Sequence, residues 1–201
     1  MMGSMAKPSL VYRLIGYVTR PLLDVIFGLE ARGVEHLPPR GGFVLAANHL
    51  SNLDPWPLGL PVFPDRWLRF MAKSELYWWP LSLVLDSGGA FSVRRGESDT
   101  AAIDTAVNLV RDGQVVVMFP EGTRQKKGLR KKWTARPRTG AARIAHLAGA
   151  PIVPAAIKGT DRLSHREKLK VAYGEPFEPG DDAPAATERL MHEIRTLYES
   201  L

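Results

Sequence analysis

The chain has 201 residues, of which 45% are hydrophobic and 24% charged, a composition typical of one globular domain rather than of a disordered protein. It contains no cysteine, which excludes disulfides, thiolate nucleophiles and Cys-ligated metal sites. Its formal net charge of +6 indicates a polyanionic partner, which could be nucleic acid, an anionic membrane or a phosphorylated ligand.

The N-terminal segment divides into a short leader and an amphipathic stretch. Residues 1–5 resemble a cloning remnant ahead of the native start, and residues 8–30 hold apolar residues at helical spacing. The longest uncharged run in this stretch, Leu14–Thr19, is far shorter than the roughly 20 residues of a membrane-spanning helix. Because Pro21 ends one helix or begins another, we predict a pair of short amphipathic helices. They either lie on a membrane surface or pack against their own domain.

From residue 31 to residue 201, short strands and helices alternate. The strand candidates are mostly continuous apolar runs, which is typical of strands covered by helices on both faces. They are Phe43–Ala47, Leu68–Ala72, Ala90–Val93, Val115–Phe119, Ile152–Ile157 and Lys170–Tyr173. The helix candidates are Pro55–Leu60, Glu75–Leu85, Ser98–Arg111, Thr139–Leu147 and Ala185–Leu201. The alternation predicts a single α/β domain with a mixed, mostly parallel sheet flanked by helices.

Several catalytic signatures are absent from the sequence. It has no dinucleotide-binding or Walker-type glycine loop, no Gly-x-Ser-x-Gly elbow and no His-Glu-x-x-His motif. The five histidines are too scattered to suggest a zinc site, so we expect no metal.

The segment Asn48–Asp54 follows directly after a predicted strand, at the strand end where α/β domains bind ligands. His49 is a natural general base, and Asp54 could accept a hydrogen bond from its other ring nitrogen. Alternatively, Asp54 only caps the helix that begins at Pro55.

The segment Phe119–Arg124 follows a second apolar strand. It contains a flexible glycine, a hydroxyl and a guanidinium in consecutive positions, Gly122, Thr123 and Arg124. This combination is suited to hold a phosphate. Glu121 cannot bind phosphate itself, and we expect it to orient an arginine or a ligand hydroxyl. A third segment, Gly88–Gly96, ends a strand in two arginines and is either a ligand contact or a solvated turn.

Together these segments resemble the motif blocks of the glycerolipid acyltransferases. The blocks occur in the family's order, from about Arg32 to Gly174, and are most similar to those of 1-acyl-sn-glycerol-3-phosphate acyltransferases. One departure is Ser92, where many members carry proline. The residues that carry the resemblance are Asn48, His49 and Asp54 in the first block, Phe91 and Arg95 in the second, Phe119–Arg124 in the third and Ile152–Pro154 in the fourth.

The resemblance implies transfer of a fatty acyl group from acyl-CoA or acyl-carrier protein to the sn-2 hydroxyl of lysophosphatidic acid, giving phosphatidic acid. In that scheme His49 is the general base and Asp54 orients it, with no covalent intermediate and no cofactor besides the acyl donor. The acceptor-binding residues implied are Arg95, Glu121, Gly122, Thr123 and Arg124. The alternatives are a different acceptor (glycerol 3-phosphate, another lysophospholipid or a lyso-aminolipid) and a non-catalytic lipid-binding protein.

The positive charge is concentrated near the third block. Between Gly122 and Thr160 there are ten Lys and Arg residues and no acidic one, which leaves 17 basic against 21 acidic residues elsewhere. The basic segment 126–138 contacts an anionic bilayer, attracts an acidic acyl-carrier protein or is a solvated loop. It lacks regular aromatic interleaving, so we expect no nucleic-acid partner. We expect the protein to lie peripherally or monotopically on the cytoplasmic face of a membrane.

Overall fold

The computed structural model describes residues 9–93, 99–122, 137–163 and 167–201. The strands are β1 (Glu30–Arg32), β2 (Phe43–Ala47), β3 (Leu68–Lys73), β4 (Ala90–Val93), β5 (Val115–Met118), β6 (Ile152–Lys158) and β7 (Lys170–Tyr173). The helices are α1 (Leu10–Phe27), α2 (Pro55–Gly59), α3 (Leu81–Ser87), α4 (Asp99–Arg111), α5 (Gly140–Ala148) and α6 (Ala183–Ser200).

In the described part of the chain the strands form one seven-stranded sheet, in the order β1-β7-β6-β2-β5-β3-β4. Neighbouring strands are parallel except β6 and β7, which are antiparallel. This confirms the expected single α/β domain with a mixed, mostly parallel sheet. Because β2, β5 and β6 are parallel neighbours, the residues that follow them gather at one edge of the sheet.

Alternate residues of the central strands face two separate cores. Val44 and Ala46 pack with residues of α4, α5 and α6, whereas Phe43, Leu45 and Ala47 pack on the opposite face with residues of α2. Both faces of β2 are buried, which is why it is a continuous apolar run rather than an alternating one.

The N-terminal segment forms one helix where the sequence predicts two. α1 runs through Pro21, begins with the Ser9 hydroxyl accepting the Tyr12 N–H (3.1 Å) and ends at Gly28 with a φ of +53°. Tyr12 packs beside the rings of Phe63 and Trp67, with centroids 6.3 and 6.2 Å away. Proline has no N–H, so the helix lacks one backbone hydrogen bond at Pro21. The caps at both ends and the packing of Tyr12 compensate for the stability that is lost with it.

One side of α1 contacts the domain and the other faces solvent. Gly16 is buried against the Phe63 ring, where a Cβ would lie 2.3 Å from the nearest ring carbon. On the opposite side, large apolar side chains are between 63% and 83% exposed, namely Leu10, Leu14, Val18 and Val25. No helix within the described residues is long and apolar enough to cross a bilayer.

The predicted helix Glu75–Leu85 is divided in the structure. Residues Ser74–Leu76 form a 3₁₀ turn, and α3 begins only at Leu81. The reason is Pro80, which has no N–H to donate and clashes with the preceding turn inside a helix.

Candidate active site

The carboxyl end of β2 places a histidine and a carboxylate in direct contact. His49 Nδ1 lies 2.7 Å from Asp54 Oδ2, and the Asp54 side chain is fully buried while that of His49 is 18% exposed. Because an ionised carboxylate can only accept, Nδ1 donates, which leaves the lone pair on Nε2. The pair therefore has the geometry of a general base that is oriented by a carboxylate.

Both carboxylate oxygens of Asp54 are held by hydrogen bonds. Besides the imidazole, Oδ2 accepts the backbone N–H groups of Leu50 (2.7 Å) and Ser51 (2.9 Å). Oδ1 accepts the hydroxyl of Thr160 at 2.5 Å. The Asp54 side chain makes no capping hydrogen bond to α2, so the alternative in which it only caps that helix is wrong.

Two further side chains fix the surroundings of His49. The buried amide of Asn48 bonds both backbone groups of Ile157, donating to its carbonyl (2.9 Å) and accepting its N–H (2.8 Å), which ties the end of β2 to β6. The Phe119 ring stacks on the imidazole with centroids 4.1 Å apart and planes inclined by 16°. At this distance the face of the Phe119 ring limits rotation of the imidazole and attracts the imidazole once it is protonated.

The turn after β5 brings Glu121 and Gly122 to the same edge of the sheet. The Gly122 N–H donates to the Phe119 carbonyl at 3.0 Å, so this N–H closes the turn and is not directed at a ligand. Gly122 has a φ of +69°, and a Cβ there would lie 2.7 Å from Nε of Arg138. The positive φ favours glycine here, and the absence of a Cβ leaves room for the Arg138 side chain to lie over the turn.

Arg138 adds a cation to this turn. Its backbone N–H donates to the Pro120 carbonyl at 2.8 Å, and its side chain is exposed to solvent. Arg138 belongs to the basic segment 126–138 and not to the acceptor-binding residues that the family resemblance implies. Its position beside Gly122 depends on the fold of the turn.

Tyr198 lies near the C-terminal end of α6. Burial, followed by the negative charge of Asp161 and lesser contributions that include Glu121, raises the pKa of Tyr198. Lys158 Nζ, at the end of β6, lies 5.3 Å from the centre of the Tyr198 ring.

The structure describes part of the predicted site. His49 and Asp54 meet as expected, and Glu121 and Gly122 follow the neighbouring strand. Arg95, Thr123 and Arg124 lie outside the described residues, as do residues 126–136 of the basic segment. Within the described ranges, no group of three or more His, Asp and Glu side chains is placed to hold a metal ion.

Comparison with known proteins gives a consistent result. A family model described as Acyltransferase matches residues 28–158. The 1-acyl-sn-glycerol-3-phosphate acyltransferase of Bacillus subtilis is 31% identical, over 95% of this chain and 98% of that protein. The human 1-acyl-sn-glycerol-3-phosphate acyltransferase alpha is 28% identical, over 89% of this chain and 67% of its own length.

A similar fold is found among solved structures. The crystal structure of the 1-acyl-sn-glycerophosphate (LPA) acyltransferase PlsC from Thermotoga maritima has a TM-score of 0.68 to this chain, at 23% sequence identity. The match covers 92% of this chain and 79% of the other.

Proposed function

The chain belongs to the acyltransferase family, and on this basis we propose that it transfers a fatty acyl group from a thioester to the sn-2 hydroxyl of lysophosphatidic acid. The observation that carries the proposal is the His49–Asp54 pair, with a buried carboxylate 2.7 Å from the imidazole Nδ1. The acceptor is supported by the relatives in Bacillus subtilis and human, which are named for 1-acyl-sn-glycerol 3-phosphate. The product is phosphatidic acid.

In the proposed reaction His49 moves the proton. Nε2 takes the proton of the acceptor hydroxyl as that oxygen forms a bond to the thioester carbonyl carbon. The C–S bond then breaks, and the thiolate leaves and receives the proton from Nε2. A simple thiol has a pKa of about 8.5, so its anion leaves without a strong general acid. Asp54 and the stacked Phe119 ring stabilise the imidazolium formed on the way.

We propose direct transfer, without an acyl-enzyme. The chain has no cysteine, and the hydroxyl nearest to His49 in sequence, Ser51, accepts the Leu53 N–H at 3.3 Å. Acyl-CoA or acyl-carrier protein is the donor substrate, and no further cofactor takes part.

The acceptor phosphate is proposed to bind at the turn after β5. The resemblance to the family assigns Arg95, Glu121, Gly122, Thr123 and Arg124 to acceptor binding. The exposed Arg138 side chain over Gly122 adds a guanidinium to the same turn. A guanidinium binds phosphate through charge-assisted hydrogen bonds, which are stronger than neutral ones.

Replacing Arg138 by Gln is expected to raise the KM for lysophosphatidic acid by about 10- to 100-fold, because one charge-assisted hydrogen bond is lost. The KM for the acyl donor should change less than twofold. The two values are measured by thiol release with one substrate varied and the other saturating. The matched control is Arg143→Gln, an exposed arginine on α5. An equal rise in both KM values, or the same effect from Arg143→Gln, would contradict the phosphate contact.

Membrane association is proposed through the outer face of α1. Its exposed apolar residues are accompanied by two exposed arginines, Arg13 and Arg20, a combination that favours an anionic bilayer surface. We propose a peripheral or monotopic location on the cytoplasmic face.

The double substitution Leu14→Glu and Val18→Glu is expected to weaken binding to vesicles containing phosphatidylglycerol by more than tenfold. Each side chain is more than 60% exposed, so folding is unaffected while apolar insertion is lost. Vesicle co-sedimentation measures the effect. Leu147→Glu, on the opposite face of the sheet, is the control. Unchanged binding of the α1 variant, or equal loss in the control, would exclude α1 as the contact.

The proposed function is tested with purified protein, lysophosphatidic acid and either acyl-CoA or acyl-carrier-protein donor. Phosphatidic acid identified by mass spectrometry is the expected product. Glycerol 3-phosphate and other lysophospholipids are offered in parallel. Preference for one of these acceptors would overturn the assignment of lysophosphatidic acid while preserving acyl transfer. Thioester hydrolysis or no turnover with all acceptors would overturn both.

A further inference from the structure

A buried hydroxyl from a distant part of the chain completes the environment of Asp54. Thr160 lies in the turn after β6, is 3% exposed, and donates its hydroxyl to Asp54 Oδ1 at 2.5 Å. The two residues are 106 positions apart in the sequence. Thr160 belongs to none of the motif segments that the sequence analysis identified.

We propose that Thr160 is a positioning residue that holds the Asp54 carboxylate in the orientation His49 requires. Three groups donate hydrogen bonds to Oδ2, and the other oxygen, Oδ1, lies in the protein interior. Among the described residues, Thr160 is the one that donates a hydrogen bond to Oδ1. Removing this donor leaves a buried carboxylate oxygen unsatisfied, and the carboxylate then tilts on its three remaining donors or admits water. Either change displaces Oδ2 from Nδ1. The inference rests on the proposed function, in which Asp54 orients His49.

The fold brings Thr160 to this position through two local features. The Asn48 amide fixes the end of β2 against Ile157, three residues before Thr160. Gly159 then has a φ of +94°, and a Cβ there would lie 2.5 Å from the Lys168 carbonyl oxygen. The chain therefore turns sharply enough to direct the next side chain towards Asp54.

The chain contains a matched threonine away from the site. Thr187 on α6 is 2% exposed and donates its hydroxyl to the Ala183 carbonyl at 2.7 Å. The two threonines have similar burial, and among the described residues each makes one side-chain hydrogen bond. They differ in the acceptor, which is a carboxylate in one case and a helix carbonyl in the other.

The test compares Thr160→Val, Thr160→Ser and Thr187→Val in steady-state thiol release. Valine keeps the volume and removes the donor, whereas serine keeps the donor. We expect Thr160→Val to lower kcat by about 10- to 100-fold with the KM of both substrates unchanged, because His49 is displaced rather than substrate binding lost. Thr160→Ser should stay within a few-fold of wild type, and Thr187→Val should lower thermal stability without changing kcat. If the Thr160→Val protein does not fold, Thr160→Ala replaces it in the test, because alanine also lacks the hydroxyl donor.

A second readout needs no substrate. The proton on His49 Nδ1 should give a low-field ¹H resonance that is absent from His49→Gln, retained in Thr160→Ser and shifted or broadened in Thr160→Val. A wild-type kcat and an unmoved resonance in Thr160→Val would overturn the inference, as would a serine variant as impaired as the valine variant. If the wild-type protein transfers no acyl group, the proposed function fails, whereas the resonance still decides whether Thr160 holds the pair.

Discussion

Replacing His49 by Gln is expected to lower the rate of thiol release at saturating lysophosphatidic acid and acyl-CoA by a factor of about 10²–10⁴. Glutamine retains a polar side chain of similar length but has no nitrogen that accepts a proton at neutral pH. Its planar amide still fits beside the Phe119 ring, which stacks on the native imidazole. The chemical step should therefore fail while substrate binding persists, and kcat should fall with little change in either KM.

The control for this substitution is His192→Gln, because His192 is exposed on α6. It should leave kcat and both KM values at wild-type levels. Circular dichroism and thermal melting of both variants establish that each is folded. A His49→Gln protein that is folded and retains more than a tenth of the wild-type kcat would exclude His49 as the base.

Asp54→Asn is expected to lower kcat by about 10²–10⁴, as in other enzymes where a buried Asp orients a catalytic His. An amide has one accepting oxygen and one donating NH₂, whereas the site supplies donors to both carboxylate oxygens. If NH₂ faces the imidazole, it selects the tautomer with the proton on Nε2, which cannot accept another. If it faces Thr160, the threonine hydroxyl can turn to accept from it, but the amide oxygen that then faces His49 carries no negative charge to stabilise the imidazolium.

Asp182→Asn is the matched control for this change. Asp182 caps α6 by accepting the Ala185 N–H at 3.0 Å, and asparagine is an equally good capping residue. Kinetics and stability of this control should both match wild type. A loss of less than tenfold in folded Asp54→Asn would show that the carboxylate does not orient the base.

The strands next to the site could be predicted from the sequence because they are buried on both faces. β2, β4 and β7 have the predicted bounds, and β5 and β6 differ by one residue at one end. β2, β5 and β6 lie in the interior of the sheet, and burial on both faces makes each of them an almost continuous apolar run, a pattern that is independent of their distant partners. Once the strands are parallel neighbours, the motifs that follow β2 and β5 must share one edge of the sheet.

Elements whose stability comes from tertiary contacts were not predictable in the same way. β1, at the sheet edge, has the sequence Glu30–Ala31–Arg32, is only three residues long and carries no apolar alternation. Its strand conformation comes from pairing with β7. α1 continues through Pro21 because of its caps and its contacts with Phe63. The expectation that a proline ends or begins a helix takes neither of these into account.

The same distinction applies to the site. His49 and Asp54 are close in sequence, so their contact follows from a short loop and a turn. Thr160 and Arg138 reach the site only through the order of strands and the shape of the Gly122 turn. Neither has a local sequence signal that separates it from an ordinary surface or turn residue.

We propose that acyl transfer is a single displacement, in which His49 takes the acceptor proton and no acyl group is stored on the protein. Rapid mixing of micromolar enzyme with acyl-CoA, in the absence of acceptor, distinguishes this mechanism from one with an acyl-enzyme through the thiol released in the first turnover. For a single displacement we expect no burst of thiol, and addition of lysophosphatidic acid should then release one thiol per phosphatidic acid formed. A burst approaching one thiol per enzyme before acceptor is added would show an acyl-enzyme and exclude the single displacement.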